Sequence, residues 1–132
     1  MTKGREFVIY IGSAFTLEWY FDHKGKSQAR EYYQELDESQ RRKALFLFKR
    51  MGDVGKIMDE TKFRNEGDKI FAFKPQPHRF LSFFVIGHKI IVANAFYKKT
   101  DKLPVGEKGS ALEAMEDYIK RTEGGIYYEN DL

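Results

Sequence analysis

The chain has 132 residues, of which 42% are hydrophobic and 16% aromatic, so it is long and apolar enough to bury one core. The absence of cysteine excludes structural disulfides, thiolate metal sites and a cysteine nucleophile. The formal net charge of +3 is unevenly distributed. Residues 61–105 carry nine Lys or Arg and three Asp or Glu, whereas residues 106–132 carry three Lys or Arg and seven Asp or Glu. This basic middle segment favours either a polyanionic partner or a solvated basic rim of the sheet.

We expect a single domain over residues 1–132, in which residues 122–132 form a short tail that no pattern places. The longest apolar runs are of strand length, and the first residues lack the apolar run of a secretion signal. The sequence therefore predicts a cytoplasmic protein with no membrane contact.

The first elements are two apolar runs. Phe7–Ile11 is rich in β-forming residues and predicts a strand. Phe15–Phe21 fits either a strand or a helical turn, because so short an apolar run does not distinguish them. Residues 22–25 then form a polar break.

Residues 27–51 predict a helical hairpin, or one helix with a sharp bend. Ser27 is a candidate N-cap, and the following apolar residues recur at helical spacing. Asp37 and Gln40 have the spacing of a second helix start, and Gly52 is the predicted end. The core faces are predicted to contain Ala29, Tyr32, Tyr33 and Leu36 in the first helix and Ala44, Leu45, Phe48 and Met51 in the second. The basic run 41–43 fits an exposed polar face or a nucleic-acid contact.

Residues 52–68 are predicted to be a loop, whose segment 62–64 extends toward the next strand. Residues 69–102 predict a three-strand meander with reversals at Pro75–Pro77 and at Gly87–His88. A two-residue turn at Gly87–His88 would pair Val85 with Ile90, Phe83 with Val92, Arg79 with Phe96 and His78 with Tyr97, and Phe73 would pair with His78 across the first reversal.

This register separates the polar residues at the strand ends. It places Lys74 and Arg79 on one face, with Ile70, Ala72, Leu81 and Phe83. The opposite face would carry His78, Tyr97 and Lys99, together with Phe71, Phe73, Phe80, Phe84, Ile91, Ala93 and Ala95. Only a one-residue bulge would merge the two polar sets.

After a connector at 103–106, residues 110–121 predict an amphipathic helix, with Leu112, Met115 or Glu116, and Ile119 at core spacing and Gly124–Gly125 at its end. The predicted fold class is therefore α+β. A small antiparallel sheet, built from the N-terminal strand and the meander, packs against the helical hairpin, and a C-terminal helix completes the domain.

Several site classes are not supported by the sequence. It contains no Gly-rich phosphate loop and no HExxH motif, and its three histidines are too far apart to predict a metal site. The cationic and aromatic residues of the meander suit metal-independent RNA cleavage, in which the substrate's own 2′-hydroxyl attacks the phosphate. Tyr97 or His78 is a candidate to stack on a base or to move a proton. The alternative is that these residues only solubilise strand ends.

The element order and three segments, KFRNEGDKIFAFKP, HRFLSFFVIGHKIIVANAFYKKTDKLP and GSALEAMEDYIK, resemble the RelE/ParE superfamily of bacterial toxins, particularly its phage-derived Gp49-like and HigB-like branch. His78-Arg79 matches an aromatic-Arg pair, and Phe96 to Pro104 matches the Phe-x-Lys-Lys-Thr-x-x-x-Pro segment that closes the sheet. The resemblance covers residues 27–121 in architecture and is specific over 62–104.

The resemblance implies a toxin of a type II toxin–antitoxin system that acts on mRNA at the ribosome, without a small-molecule cofactor or a metal, and that is neutralised by a cognate antitoxin protein. It implies that Arg79 contacts the scissile phosphate and that Lys98 or Lys99 is the basic residue late in the sheet. His78 and Tyr97 are further catalytic candidates. The expected RNA-binding residues are Lys62, Arg64, Lys74 and Lys102.

The chain departs from that family pattern in its first meander strand. Phe71 or Ala72 stands where an acidic residue is usual, and Ile70 and Ala72 stand where some ribosome-dependent members have lysine. A second function therefore remains open: a non-enzymatic toxin that binds a protein target such as DNA gyrase, or an inactive prophage-derived relative.

Overall fold

The computed structural model describes residues 6–129, so the two ends of the predicted domain, residues 1–5 and 130–132, lie outside the described residues. The elements in chain order are β1 Val8–Ile11, β2 Thr16–Trp19, α1 Gln28–Glu35, α2 Glu38–Val54, β3 Phe63–Asn65, β4 Phe71–Phe73, β5 His78–Val85, β6 Lys89–Tyr97 and α3 Val105–Glu123. Within this part of the chain, no helix is both long and apolar enough to cross a membrane.

The sheet has six strands in the order β1-β2-β6-β5-β4-β3. The α+β class is confirmed, and the architecture is consistent with the RelE-like fold that the resemblance implied. The sheet is nevertheless larger than predicted, and it is mixed. The ambiguous run 15–21 forms β2, which lies parallel to β6, and part of the predicted loop forms β3, which pairs with β4.

Helices cover both faces of the sheet. The helical hairpin α1–α2 packs on one face, and its core includes Leu17, Trp19, Phe48, Phe80 and Val92. Helix α3 packs on the other face, and its core includes Ile70, Leu81, Phe83, Ile91 and Tyr118. Because both faces are buried, the meander strands are apolar on both sides rather than alternating.

The predicted starts of the hairpin helices are confirmed. The Ser27 side chain accepts a hydrogen bond from the Arg30 N–H, and the Asp37 carboxylate accepts one from the Gln40 N–H at 2.8 Å. The predicted end at Gly52 is wrong, because α2 continues to Val54 and ends at Gly55 with a left-handed φ of 83°. The second core face is also shifted, since Leu47 is buried and Leu45 is only half-buried.

Gly52 has a packing role instead. The β1–β2 turn lies directly against it, and the N–H groups of Ala14 and Phe15 donate to its carbonyl at 2.7 and 2.9 Å. A Cβ on Gly12 would lie 2.2 Å from the Gly52 carbonyl carbon, and a Cβ on Gly52 would lie 2.8 Å from the Tyr10 ring, so neither position leaves room for a side chain. This contact sets the position of α2 relative to the first two strands.

The β5–β6 register is partly as predicted. Arg79 pairs with Phe96 and His78 with Tyr97, but a bulge between Leu81 and Ser82 shifts the pairs nearer the turn by one residue. Phe83 therefore pairs with Ile91 and Val85 with Lys89, which corrects the predicted partners Val92 and Ile90. The connection contains three residues, Ile86 to His88, two of them with positive φ, rather than two.

The bulge also changes which face some residues share. Ile91 and Ala93 lie on the α3 side with Leu81 and Phe83, not on the side of His78 as predicted. At the other reversal, Phe73 pairs with Phe80 rather than with His78, because residues 74–77 form a four-residue connection in which the His78 N–H donates to the Pro75 carbonyl.

Helix α3 starts five residues earlier than predicted, since Val105 and Gly106 are helical after Pro104 at the N-cap position. Its buried face contains Ala111, Ala114 and Tyr118. The predicted core residue Ile119 is 42% exposed, and Leu112 and Met115 are only partly buried. The predicted stop is confirmed at Gly124.

The tail, which no sequence pattern placed, closes the α3 side of the core. Tyr127 is 1% exposed, and its hydroxyl oxygen accepts a hydrogen bond from the Phe21 N–H at 2.9 Å. The Tyr128 hydroxyl donates to the buried Glu18 carboxylate at 2.7 Å.

Candidate nucleic-acid interface

A small pocket lies at the rim of the sheet, where the start of β5, the end of β6 and the segment before α3 meet. We call it the Arg79 pocket; its volume is about 140 Å³. Its lining residues are Arg64, Glu66, Lys74, Arg79, Phe96, Lys98, Thr100, Asp101, Lys102, Leu103 and Pro104. The fold thus brings together five of the nine predicted site residues.

Arg79 is the least exposed cation of the pocket, at 7%. Its Nη1 donates to the His78 carbonyl at 2.9 Å and to the Gln76 side-chain oxygen at 3.2 Å. Within residues 6–129, no carboxylate lies at ion-pair distance from the guanidinium. Burial lowers the pKa of Arg79, and the carboxylates of Glu66 and Asp101 partly oppose this. The group stays charged, because arginine titrates far above neutral pH.

Two lysines lie beside this guanidinium. The Lys74 ammonium donates to the Glu60 carbonyl at 3.0 Å. The pKa of Lys74 is lowered, first by burial and then by the positive charges of Arg79, Arg64 and Lys98. Lys98 pairs with Asp101 at 2.8 Å. Lys74 therefore releases its proton more easily than an ordinary surface lysine.

Glu66 and Asp101 are pocket residues that the sequence analysis did not identify. Glu66 follows β3, and its N–H donates to the Ile70 carbonyl at 2.8 Å across a turn in which Gly67, Asp68 and Lys69 all have positive φ. Only the β3–β4 pairing brings Glu66 to Arg79, and β3 was predicted to be part of a loop. With Asp101, Glu66 gives the pocket two carboxylates beside its cations.

His78 and Tyr97 lie on the opposite face of the sheet from Arg79, as the register predicted. The His78 Nδ1 is 2.7 Å from the Tyr32 hydroxyl, and the ring centres of His78 and Tyr97 are 5.8 Å apart. Burial lowers the pKa of His78, which favours the neutral ring, and the buried Nε2 has no hydrogen-bond partner among residues 6–129. The bulge does not merge the two polar sets, because it lies between them and the turn.

The two remaining predicted residues lie elsewhere. Lys99 is exposed and does not line the Arg79 pocket. Lys62 lines a larger open groove of about 660 Å³ between α2 and residues 74–76, which we call the α2 groove. The predicted exposed run 41–43 is confirmed for Arg42 and Lys43, whereas Arg41 is half-buried and donates to the Leu36 carbonyl.

The fold and the pocket define a small α+β protein with a recessed cationic site at the rim of a mixed sheet. The family model described as "Phage derived protein Gp49-like (DUF891)" matches residues 31–116, well over half of the chain, so the chain belongs to this family. The matched range includes α2, the meander and every residue of the Arg79 pocket. A comparison with curated proteins finds no match.

Proposed function

We propose that this Gp49-like protein is the toxin of a type II toxin–antitoxin system and cleaves mRNA without a metal ion. The observation that carries the proposal is the Arg79 guanidinium, which is held in a pocket-lining position without a carboxylate partner among the described residues. Burying a charge in this way costs folding free energy, so such a group is more typical of a binding site than of a stabilising contact.

The chemistry follows from the residues that line the pocket. Attack by a 2′-oxygen on the adjacent phosphorus forms a 2′,3′-cyclic phosphate and breaks the bond to the 5′-oxygen. Arg79 stabilises the additional negative charge on the phosphate oxygens through paired N–H donors. The 2′-hydroxyl must lose a proton and the leaving 5′-oxygen must gain one.

We assign these two proton transfers to Glu66 and Lys74. The Glu66 carboxylate is an acceptor that lies beside the cations of the pocket. Lys74 has a lowered pKa, which makes its ammonium a better proton donor than an ordinary lysine. Lys98, Arg64 and Lys102 supply the surrounding positive potential that attracts the RNA backbone.

The partners we propose are the mRNA, the ribosome and a cognate antitoxin. An antitoxin that covers the Arg79 pocket would keep RNA out of the pocket and neutralise the basic surface. A partner of this kind would carry acidic residues opposite the pocket.

A second candidate is a toxin that acts on a protein target such as DNA gyrase, or an inactive relative. One observation favours it: Ile70 and Ala72, which occupy positions where some ribosome-dependent relatives have lysine, are fully buried against α3. These two residues offer no side chain to an RNA in the pocket.

The test compares Arg79→Ala with Lys99→Gln, which removes an exposed cation outside the pocket. We expect Arg79→Ala to lower the RNA cleavage rate by about 10²-fold or more and to abolish growth inhibition, while Lys99→Gln stays near wild type. Cleavage is measured on purified ribosomes with added chelator, and folding by circular dichroism. A folded Arg79→Ala variant that cleaves as fast as wild type refutes the site. Growth inhibition without RNA cleavage in the wild type favours the second candidate.

A further inference from the structure

The α2 groove is cationic along both walls. One wall is a single face of α2, where Ser39, Arg42, Lys43, Phe46 and Lys49 follow helical spacing. The other wall contains Lys62, Lys74, Pro75 and Gln76. Five of the lining residues are Lys or Arg, and none is Asp or Glu. The groove therefore presents a continuous positive potential.

Little in the described chain neutralises these charges. Arg42 pairs with Glu38 at 2.7 Å, but both side chains are more than 70% exposed, and such surface pairs are weak. Neither Lys43 nor Lys62 forms an ion pair with any residue between 6 and 129. The charges remain available to an anionic ligand that enters the groove.

Phe46 adds an aromatic surface among these cations. Its side chain is 63% exposed, and it makes no ring contact with another aromatic residue in the described part of the chain. A large exposed aromatic ring between lysines is typical of protein surfaces that bind single-stranded nucleic acids, because phosphates contact the cations while a base stacks on the ring. An acidic protein segment would use the same charges but gain less from a single exposed ring.

The α2 groove adjoins the Arg79 pocket. Lys74 lines both of them. Gln76 lines the groove, and its side-chain oxygen accepts the hydrogen bond from Arg79. The groove and the Arg79 guanidinium are therefore close neighbours, linked by Lys74 and Gln76.

We infer that the α2 groove binds the single-stranded RNA that flanks the cleaved phosphate, with one base stacked on Phe46 and the neighbouring phosphates on Lys43 and Lys62. This inference rests on the proposed function and extends it, because the protein would contact several nucleotides of the RNA strand and not only the two that flank the cleaved bond.

The test uses full-length protein and two fluorescein-labelled single-stranded RNAs, one of about 12 nucleotides and one of about 3, in anisotropy titrations. We expect Phe46→Ala to weaken binding of the longer RNA by about fivefold or more and to leave the shorter one unaffected. Lys43→Gln should reduce the slope of log K against log salt by about 0.7. Arg50→Gln, an exposed cation on α2 outside the groove, is the matched control and should change neither measurement.

The outcomes separate the two proposals. If the wild-type protein cleaves RNA in an Arg79-dependent manner but Phe46→Ala and Lys43→Gln bind the longer RNA as wild type does, the groove inference fails and the proposed function stands. If the wild type neither binds nor cleaves RNA, both fail. If the two variants weaken binding of the cognate antitoxin and leave RNA affinity unchanged, the groove is a protein-docking surface and the RNA inference is wrong.

Discussion

Replacing Gly12 by alanine tests the close backbone contact between the β1–β2 turn and α2. An ideal Cβ at this position lies 2.2 Å from both the carbonyl carbon and the oxygen of Gly52, whereas an ordinary contact begins at 3.4 Å. Both partners are backbone atoms, so no side chain can rotate away. The β1–β2 turn must therefore move away from α2 by more than an ångström.

The cost follows from what that movement breaks. The N–H groups of Ala14 and Phe15 both donate to the Gly52 carbonyl, and each bond contributes about 0.5–1.5 kcal/mol net. Overpacking of the surrounding residues adds about 1–3 kcal/mol. We expect Gly12→Ala to lower the free energy of unfolding by about 2–6 kcal/mol. For a chain of this length that corresponds to a Tm decrease of roughly 7–20 °C.

The control is Gly109→Ala in α3. No heavy atom lies within 4 Å of a Cβ at Gly109, and its φ is not positive. Alanine there removes backbone entropy from the unfolded chain and should raise stability by about 0.5–1 kcal/mol. Thermal and urea unfolding followed by circular dichroism measure both variants. A Gly12→Ala protein within about 0.5 kcal/mol of wild type would show that the turn does not pack against α2 at this distance.

Two further predictions concern buried polar groups. Because the pKa of His78 lies below 6.5 in the folded state, the unfolded state binds a proton first as the pH falls. The contribution of His78 to the free energy of unfolding is therefore complete above pH 6.5 and is lost as the pH falls toward the lower pKa of the folded state. We expect the urea midpoint of the wild type to fall between neutral and acidic pH, and His78→Gln to reduce that fall. An unchanged pH dependence in His78→Gln would contradict this assignment. Tyr127→Phe keeps the buried ring but leaves the Phe21 N–H without its acceptor, so we expect about 1–3 kcal/mol of destabilisation in urea unfolding, and a loss below about 0.5 kcal/mol would argue against this bond.

Local sequence patterns were enough for the helices and for part of the meander. Ser27 and Asp37 were identifiable as caps because each bonds an N–H only three residues away. The pairing of Arg79 with Phe96 was also predictable, because a hairpin register depends mainly on the length of its connection. The longer turn shifts the strand register by one residue, and the bulge shifts it back. The pairs from His78 to Leu81 therefore follow the predicted register, although the predicted turn length was wrong.

The site could be predicted only in part. Arg79, Lys74 and Lys98 were recognisable from their positions at strand ends and from the family resemblance. Glu66 was not, because it reaches the pocket only through the pairing of a three-residue strand that carries a weak pattern of its own. The α2 groove was missed for a similar reason, since Lys62 and Phe46 have no relation in the sequence and line one groove only in the folded chain.

The sequence by itself determined the α+β class, the helix starts, the meander and the separation of Arg79 from His78 and Tyr97. Each of these depends on residues close together in the chain, where periodicity and capping act directly. The tertiary structure alone decided the parallel β2–β6 pairing, the burial of both sheet faces and the convergence of five cations with Glu66 in one pocket. Those features depend on contacts between distant segments, whose partners are selected by the packing of the whole core rather than by any local pattern.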